Sequence, residues 1–217
     1  MVELTADRLV WVSLAALAVL LLIGWLARRL RRSRRSQELA EAFRISLRSQ
    51  LNFTYAPSAR GFQAHFEPPP EPFDQFNIDY GGPSNRSLLD RFIAGLAASD
   101  LLVIYGRLAS RPVAEISWER GRIPGRALAR RSRGSLWERR RSEILGSEYA
   151  VRGADTSALE HVLVDLQARF GPLLEAVTVQ AEEPREFQVV LHTGALEARE
   201  VPALVITVRA LGRAALR

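Results

Sequence analysis

The residues with the clearest chemical potential form an arginine-rich segment between positions 111 and 141. This segment holds ten arginines against three acidic residues. Guanidinium groups bind carboxylates and phosphates through paired hydrogen bonds, so a surface built from them attracts anionic partners. On a hairpin, the following arginines are predicted to form such a surface: Arg126, Arg130, Arg131, Arg133, Arg139, Arg140 and Arg141.

Four interpretations of this arginine segment stay open at the level of sequence. It is either a solvated basic face or a binding surface for an acidic protein, an anionic lipid or a nucleic acid, because long-range attraction depends only on charge. Among the partners, an acidic protein surface is preferred and nucleic acid is the least favoured. Trp118 and Trp137 beside the arginines fit a sheet core better than a platform for base stacking.

The rest of the sequence offers little for catalysis. There is no cysteine, which excludes a thiol nucleophile, a disulfide framework and a Cys-liganded metal. His65, His161 and His192 do not have the spacing of a metal site, and no phosphate-binding loop, dinucleotide motif or nucleophile elbow is present. We therefore expect no cofactor and no metal. A carboxylate-dependent enzyme is kept as an alternative, with Asp74, Asp79 or Glu148 as candidate groups.

A long apolar segment near the N-terminus is predicted to anchor the protein in a membrane. Residues 9–27 include no charged residue, and nineteen helical residues extend for about 28 Å, close to the hydrocarbon thickness of a bilayer. A cleaved signal peptide fits less well, because the preceding residues include Glu3 and Asp7 and the apolar run ends directly in arginines.

The charges on either side of this segment predict its orientation. Six arginines follow the apolar run, whereas only Arg8 precedes it. Since positively charged flanks stay in the cytoplasm, the N-terminus is predicted to lie outside the cell and the C-terminal domain inside. The residues expected at the membrane interface are Trp11, Trp25, Arg28, Arg29, Arg31, Arg32, Arg34 and Arg35.

The remaining sequence predicts the following domain organisation. Residues 1–8 are a short extracytoplasmic terminus, and residues 9–27 are the transmembrane helix. Residues 28–72 combine the basic flank, an amphipathic stalk helix and a proline-rich connector that ends in the run from Pro68 to Pro72. Residues 73–217 form one cytoplasmic domain.

The periodicity of apolar residues assigns this domain to the α+β class. Alternating segments predict strands, and segments with apolar residues three and four apart predict helices. Residues 74–119 and 147–192 share the order strand, helix, strand, strand. We therefore expect a mostly antiparallel sheet with helices on one face, built either from two duplicated halves or from a chance similarity of pattern.

Together these features predict a single-pass membrane protein whose cytoplasmic domain is an interaction module without catalytic activity, such as an adaptor or accessory subunit. Its expected partners are the membrane and a protein with an acidic surface. Binding of RNA or anionic lipid through the arginine segment is the first alternative, and the carboxylate-dependent enzyme is the second. No sequence motif identifies a known family, and the oligomeric state is not predicted.

Overall fold

The computed structural model describes residues 6–47, 50–54, 61–81, 101–120, 137–143, 146–181, 187–193 and 195–217. Within these ranges, the side chains at 6–10, 12, 28, 29, 31, 32 and 50–54 are not described. The described residues form these elements, with one 3-10 helix at Ala198–Glu200: α1 Ala6–Leu47, β1 Gln50–Thr54, β2 Phe62–Glu67, β3 Phe73–Tyr80, β4 Leu101–Leu108, β5 Ala114–Glu119, β6 Glu138–Ser142, β7 Ser147–Gly153, α2 Ser157–Phe170, β8 Leu174–Val179, β9 Phe187–His192 and α3 Val201–Ala215.

All of these strands belong to one sheet with the order β1-β2-β3-β4-β9-β8-β5-β7-β6. Every neighbouring pair is antiparallel. In β2 and β9, buried side chains alternate with more exposed ones, because successive residues of a strand point to opposite faces. The predicted α+β class and the mostly antiparallel sheet are therefore confirmed.

The three described α-helices pack against the buried face of this sheet. Helix α3 contacts both α1 and α2, and each of the three helices also contacts strands. The core between the layers includes Phe43 from α1, Leu163 from α2 and Leu204 from α3, all fully buried. The opposite face of the sheet, against which none of the described helices packs, is called the open face below.

The sheet does not divide into two strand-helix-strand-strand halves. Strand β5 belongs to the first half in sequence, yet it lies between β7 and β8 of the second half and pairs with both. The second half keeps its predicted order of β7, α2, β8 and β9 along the chain. The first half does not form a matching unit in the sheet, because β9 and β8 lie between its strands β4 and β5. The helix predicted from Ser87 lies outside the described residues.

The folded domain begins well before residue 73, where the sequence placed its boundary. Strands β1 and β2 are part of the sheet, and Leu39 and Phe43 of the predicted stalk are buried in the core. The sequence pattern was ambiguous because a stalk helix and a core helix both bury one apolar stripe. The proline run is the connection between β2 and β3, where the Phe73 N–H donates to the Pro70 carbonyl at 2.9 Å. The run therefore joins two strands of the domain rather than preceding the domain.

Helix α1 continues without a break from the apolar segment into the domain. Its first part has exposed apolar side chains, among them Trp11 at 73%, Leu20 at 65% and Leu21 at 66%. Among the described residues, no helix meets the combined length and apolarity needed to cross a membrane.

Candidate interaction surface

Strand β6 at the edge of the sheet determines where three consecutive arginines point. Its register places Arg139 beside Ala150, Arg140 beside Tyr149 and Arg141 beside Glu148. Because side chains alternate along a strand, Arg140 lies on the helix side with buried Tyr149. Arg139 and Arg141 both lie on the open face.

Arg140 is engaged by several acceptors within the fold. Its guanidinium donates to Glu138 at 2.9 and 3.0 Å, to the Thr156 hydroxyl at 3.2 Å and to Glu160 on α2. The Tyr149 hydroxyl donates to the second oxygen of Glu160 at 2.5 Å. This network joins β6, β7 and the first turn of α2, so Arg140 has a structural role.

The position of Tyr149 within this network alters its acidity. Burial and the hydrogen bond to the Glu160 carboxylate raise the pKa of the Tyr149 hydroxyl to about 12. Both effects disfavour the phenolate, because a buried negative charge beside a carboxylate is poorly solvated. The tyrosine therefore stays protonated as a hydrogen-bond donor at neutral pH.

Arg139 and Arg141, in contrast, are exposed and make no hydrogen bond or ion pair with any described residue. Two residues apart on a strand, their Cα atoms are separated by about 7 Å. Glu148 lies directly opposite Arg141 on β7, also exposed. These two guanidinium groups are the described members of the predicted arginine surface that can bind an anionic partner.

A cation-π contact and a buried ion pair border these arginines on the open face. The Arg152 guanidinium lies 5.1 Å from the centre of the Trp137 ring. Arg152 also pairs with Glu115, which is only 3% exposed and accepts a second hydrogen bond from the Ala181 N–H at 2.6 Å. The carboxylate is thus satisfied by two donors, as burial of its charge requires.

An open cleft of about 240 Å³ adjoins this ion pair. Its lining includes Arg111, Val113 and Gly153 together with the Glu115–Arg152 pair. Sequence analysis did not single out Glu115 or Arg152. No local signal could have found them, since they meet only through pairing of β5 with β7 across an intervening segment of more than thirty residues.

The structure describes only some of the residues in and beside the predicted arginine surface. Arg126, Arg130, Arg131 and Arg133 lie outside the described residues. Trp118 is 2% exposed, and its indole N–H donates to the Ser147 hydroxyl at 2.6 Å. This tryptophan is therefore a core residue, as preferred from the sequence.

The predicted membrane-interface residues fall into three groups. Trp11, Trp25 and Arg34 have exposed side chains. Arg28, Arg29, Arg31 and Arg32 lie in α1, and their side chains are not described. Arg35 instead points to the domain, where its guanidinium donates to the Leu196 carbonyl at 2.9 Å and to the Thr193 carbonyl. These hydrogen bonds hold the Arg35 guanidinium against the segment after β9.

The carboxylates considered for catalysis do not come together. Asp74 pairs with Arg107, and Asp79 accepts a long hydrogen bond of 3.5 Å from Gln63. Partial burial raises the pKa of Asp79, and the Gln63 hydrogen bond lowers it by less. Strand β7, which carries Glu148, lies five strand positions from β3, a separation of about 24 Å.

The three histidines are also separated. His65 Nδ1 lies 2.6 Å from the Asn77 side-chain oxygen, His192 pairs with Glu175 at 3.0 Å, and His161 lies on α2. Within the described part of the chain, no three His, Cys, Asp or Glu residues form a group that could hold a metal ion.

Comparison with protein-family models, with curated proteins and with solved structures gives no match. The fold and surface of this chain are therefore the basis for inferring its function.

Proposed function

We propose that this protein is a single-pass membrane protein whose cytoplasmic domain binds an acidic surface of a protein partner and has no catalytic role. The observation that carries the proposal is the contrast along β6. Arg140 is engaged by Glu138 and Glu160, whereas Arg139 and Arg141 are exposed side by side. A pair of guanidinium groups at this spacing can bind two carboxylates of a partner.

The membrane anchor is supported by the apolar segment of α1. Residues 9–27 of the sequence carry no charge, and the large side chains described in this segment are exposed. Within this segment the structure describes every side chain from 13 to 27 but not those of residues 9, 10 and 12. The length of the proposed anchor is therefore taken from the sequence. A row of exposed leucines beside an otherwise folded domain is costly in water, and a bilayer removes that cost.

The cytoplasmic orientation is supported by the six arginines that follow the segment. The test is protease treatment of intact cells that produce the full chain. The domain should remain intact, because the bilayer separates it from the protease. Degradation without cell lysis would contradict the proposed orientation.

The binding role is tested with the double variant Arg139→Ser/Arg141→Ser. A matched control is Arg44→Ser/Arg169→Ser, which removes the same charge from two exposed arginines that form local pairs with Glu41 and Asp165. Full-length proteins in neutral lipid nanodiscs are titrated with a labelled polyglutamate peptide. We expect the first variant to lose most of the binding and the control to retain it.

The same titration separates the alternatives. A single-stranded RNA and vesicles with an anionic lipid are used as competing probes at several salt concentrations. If the protein prefers RNA, and if this binding has a steep salt dependence that Arg139→Ser/Arg141→Ser removes, the partner is a nucleic acid rather than a protein. Preference for anionic vesicles would instead indicate a lipid partner.

A further inference from the structure

The contact between α1 and the segment after β9 fixes the position of the domain along this helix. Arg35 donates to the carbonyl oxygens of Thr193 and Leu196. Directly beside it on α1, Ser36 and Leu39 are 4% and 1% exposed. The 3-10 helix at Ala198–Glu200 packs against α1 at this joint. The joint therefore has both buried contacts and directed hydrogen bonds.

Helix α1 is also a stiff connection to the proposed membrane anchor. Between Trp25 and Leu47 it contains neither glycine nor proline, the residues at which helices usually kink. Arg35 lies eight positions beyond Ala27, the end of the apolar segment. At 1.5 Å per residue, the joint lies about 12 Å along the helix from the end of the apolar segment.

We propose that the surface formed by Glu197 and the 3-10 helix faces the lipid bilayer at a distance set by α1. This inference rests on the proposed membrane anchor. A headgroup layer is roughly 5–7 Å thick, so the surface begins a few ångströms beyond the headgroups. It lies within about one Debye length, roughly 8 Å at physiological salt, of the charged leaflet.

The charges of this surface indicate that the helix, and not attraction to lipid, determines its position. Glu197 and Glu200 are acidic, and the basic residue between them is Arg199, whose side chain is 82% exposed. An anionic leaflet would weakly repel two carboxylates and one guanidinium. The distance from the bilayer should therefore depend little on salt or on lipid charge.

The chain contains no cysteine, so a single introduced cysteine can be labelled without other substitutions. A fluorophore is attached to full-length Arg199→Cys, and energy transfer is measured to acceptors on the headgroups of phosphatidylcholine vesicles. The matched control is Ile45→Cys, an exposed position on α1 ten residues beyond Arg35. Because ten residues add about 15 Å, we expect about twofold or greater transfer from position 199 than from position 45.

Two insertions between Arg32 and Ser33 test the role of the helix. Insertion of Gly-Pro-Gly should abolish the difference between the two labels, since it interrupts the helix. Insertion of three alanines keeps the helix and adds about 4.5 Å, so the difference should persist. The difference should also persist in high salt and after addition of phosphatidylglycerol.

The outcomes separate this inference from the proposal on which it rests. If the full chain fails to float with vesicles, the membrane anchor is wrong and this inference falls with it. If the protein floats but the two labels transfer energy equally, only the inference is wrong. A difference that disappears in high salt would also overturn it, because electrostatic adhesion would then position the domain.

Discussion

The Tyr149 hydroxyl donates a hydrogen bond of 2.5 Å to Glu160, which joins strand β7 to the first turn of α2. Arg140 and Thr156 bind the other oxygen of the same carboxylate. Glu160 is therefore the centre of a network that attaches the edge of the sheet to the helical layer. The residues of this network support the edge of the sheet, whereas Arg139 and Arg141, on the opposite face of β6, pair with no described residue.

The raised pKa of Tyr149 predicts a loss of stability in alkaline solution. The folded-state pKa of about 12 exceeds the ordinary tyrosine pKa of 10.0, so the hydroxyl contributes stability below pH 10 that disappears as the pH rises towards 12. In urea unfolding of the full chain in detergent, Tyr149→Phe should weaken this decline. Tyr105→Phe, at a partly exposed position on β4, should preserve it. An equal decline in wild type and Tyr149→Phe would contradict the prediction.

The neighbouring arginines of β6 should differ in their effect on folding. Arg140→Ser should lower the free energy of unfolding by about 1 kcal/mol, because Glu160 loses a charged donor. Arg139→Ser/Arg141→Ser should change it by less than about 0.5 kcal/mol, since both side chains are exposed. Urea midpoints measured in the same detergent compare the variants. Equal destabilisation would show that all three arginines are structural.

Removing one member of the buried Glu115–Arg152 pair should be costly. Arg152→Met leaves a carboxylate that is 3% exposed without its cation, which costs about 3 kcal/mol. The double variant Glu115→Gln/Arg152→Met removes the uncompensated charge and keeps an acceptor for the Ala181 N–H. It should therefore be more stable than Arg152→Met alone. A double variant less stable than the single one would contradict this account of the pair.

Two glycines should respond differently to alanine. A Cβ at Gly106 in β4 would lie 2.0 Å from the Gln75 backbone oxygen of the adjacent strand. Since the clash is with backbone, Gly106→Ala should destabilise the domain by about 2 kcal/mol or more. Gly24→Ala on α1 is the control, because its Cβ position has no described neighbour within 4 Å apart from adjacent residues and the backbone of its own helix. Thermal unfolding followed by circular dichroism measures both, and a neutral Gly106→Ala would rule out the close approach.

Much of the secondary structure could be predicted from local patterns. Alternation at Phe76, Ile78 and Tyr80 predicted β3, and apolar spacing from Leu159 to Phe170 predicted α2. Helix α3 followed in the same way from its apolar stripe, with Pro202 in its first turn. These predictions held because the period of buried side chains is a property of a short segment alone.

The domain boundary and the internal symmetry were not predictable in this way. Phe43 lies on an amphipathic stripe that fits a stalk as well as a core helix, and only its contacts place it in the core. Strand β5 matched the last strand of a repeat, but its position depends on pairing with β7 and β8. The spacing of residues within one segment therefore does not distinguish a stalk helix from a core helix, and it does not identify the neighbours of a strand in the sheet.

Sequence patterns alone were enough to predict the α+β class and the mostly antiparallel sheet, and they show the uncharged N-terminal segment and the concentration of arginine between 111 and 141. Composition and periodicity are properties of short segments, so they can be read from the sequence before the fold is known. The folded arrangement was needed to show that Arg140 supports the fold while Arg139 and Arg141 face outward, and that Arg35 holds the domain on α1. Each of those roles depends on a hydrogen-bond partner that is distant in the sequence. Such partners come together only through the order of the strands and the packing of the helices.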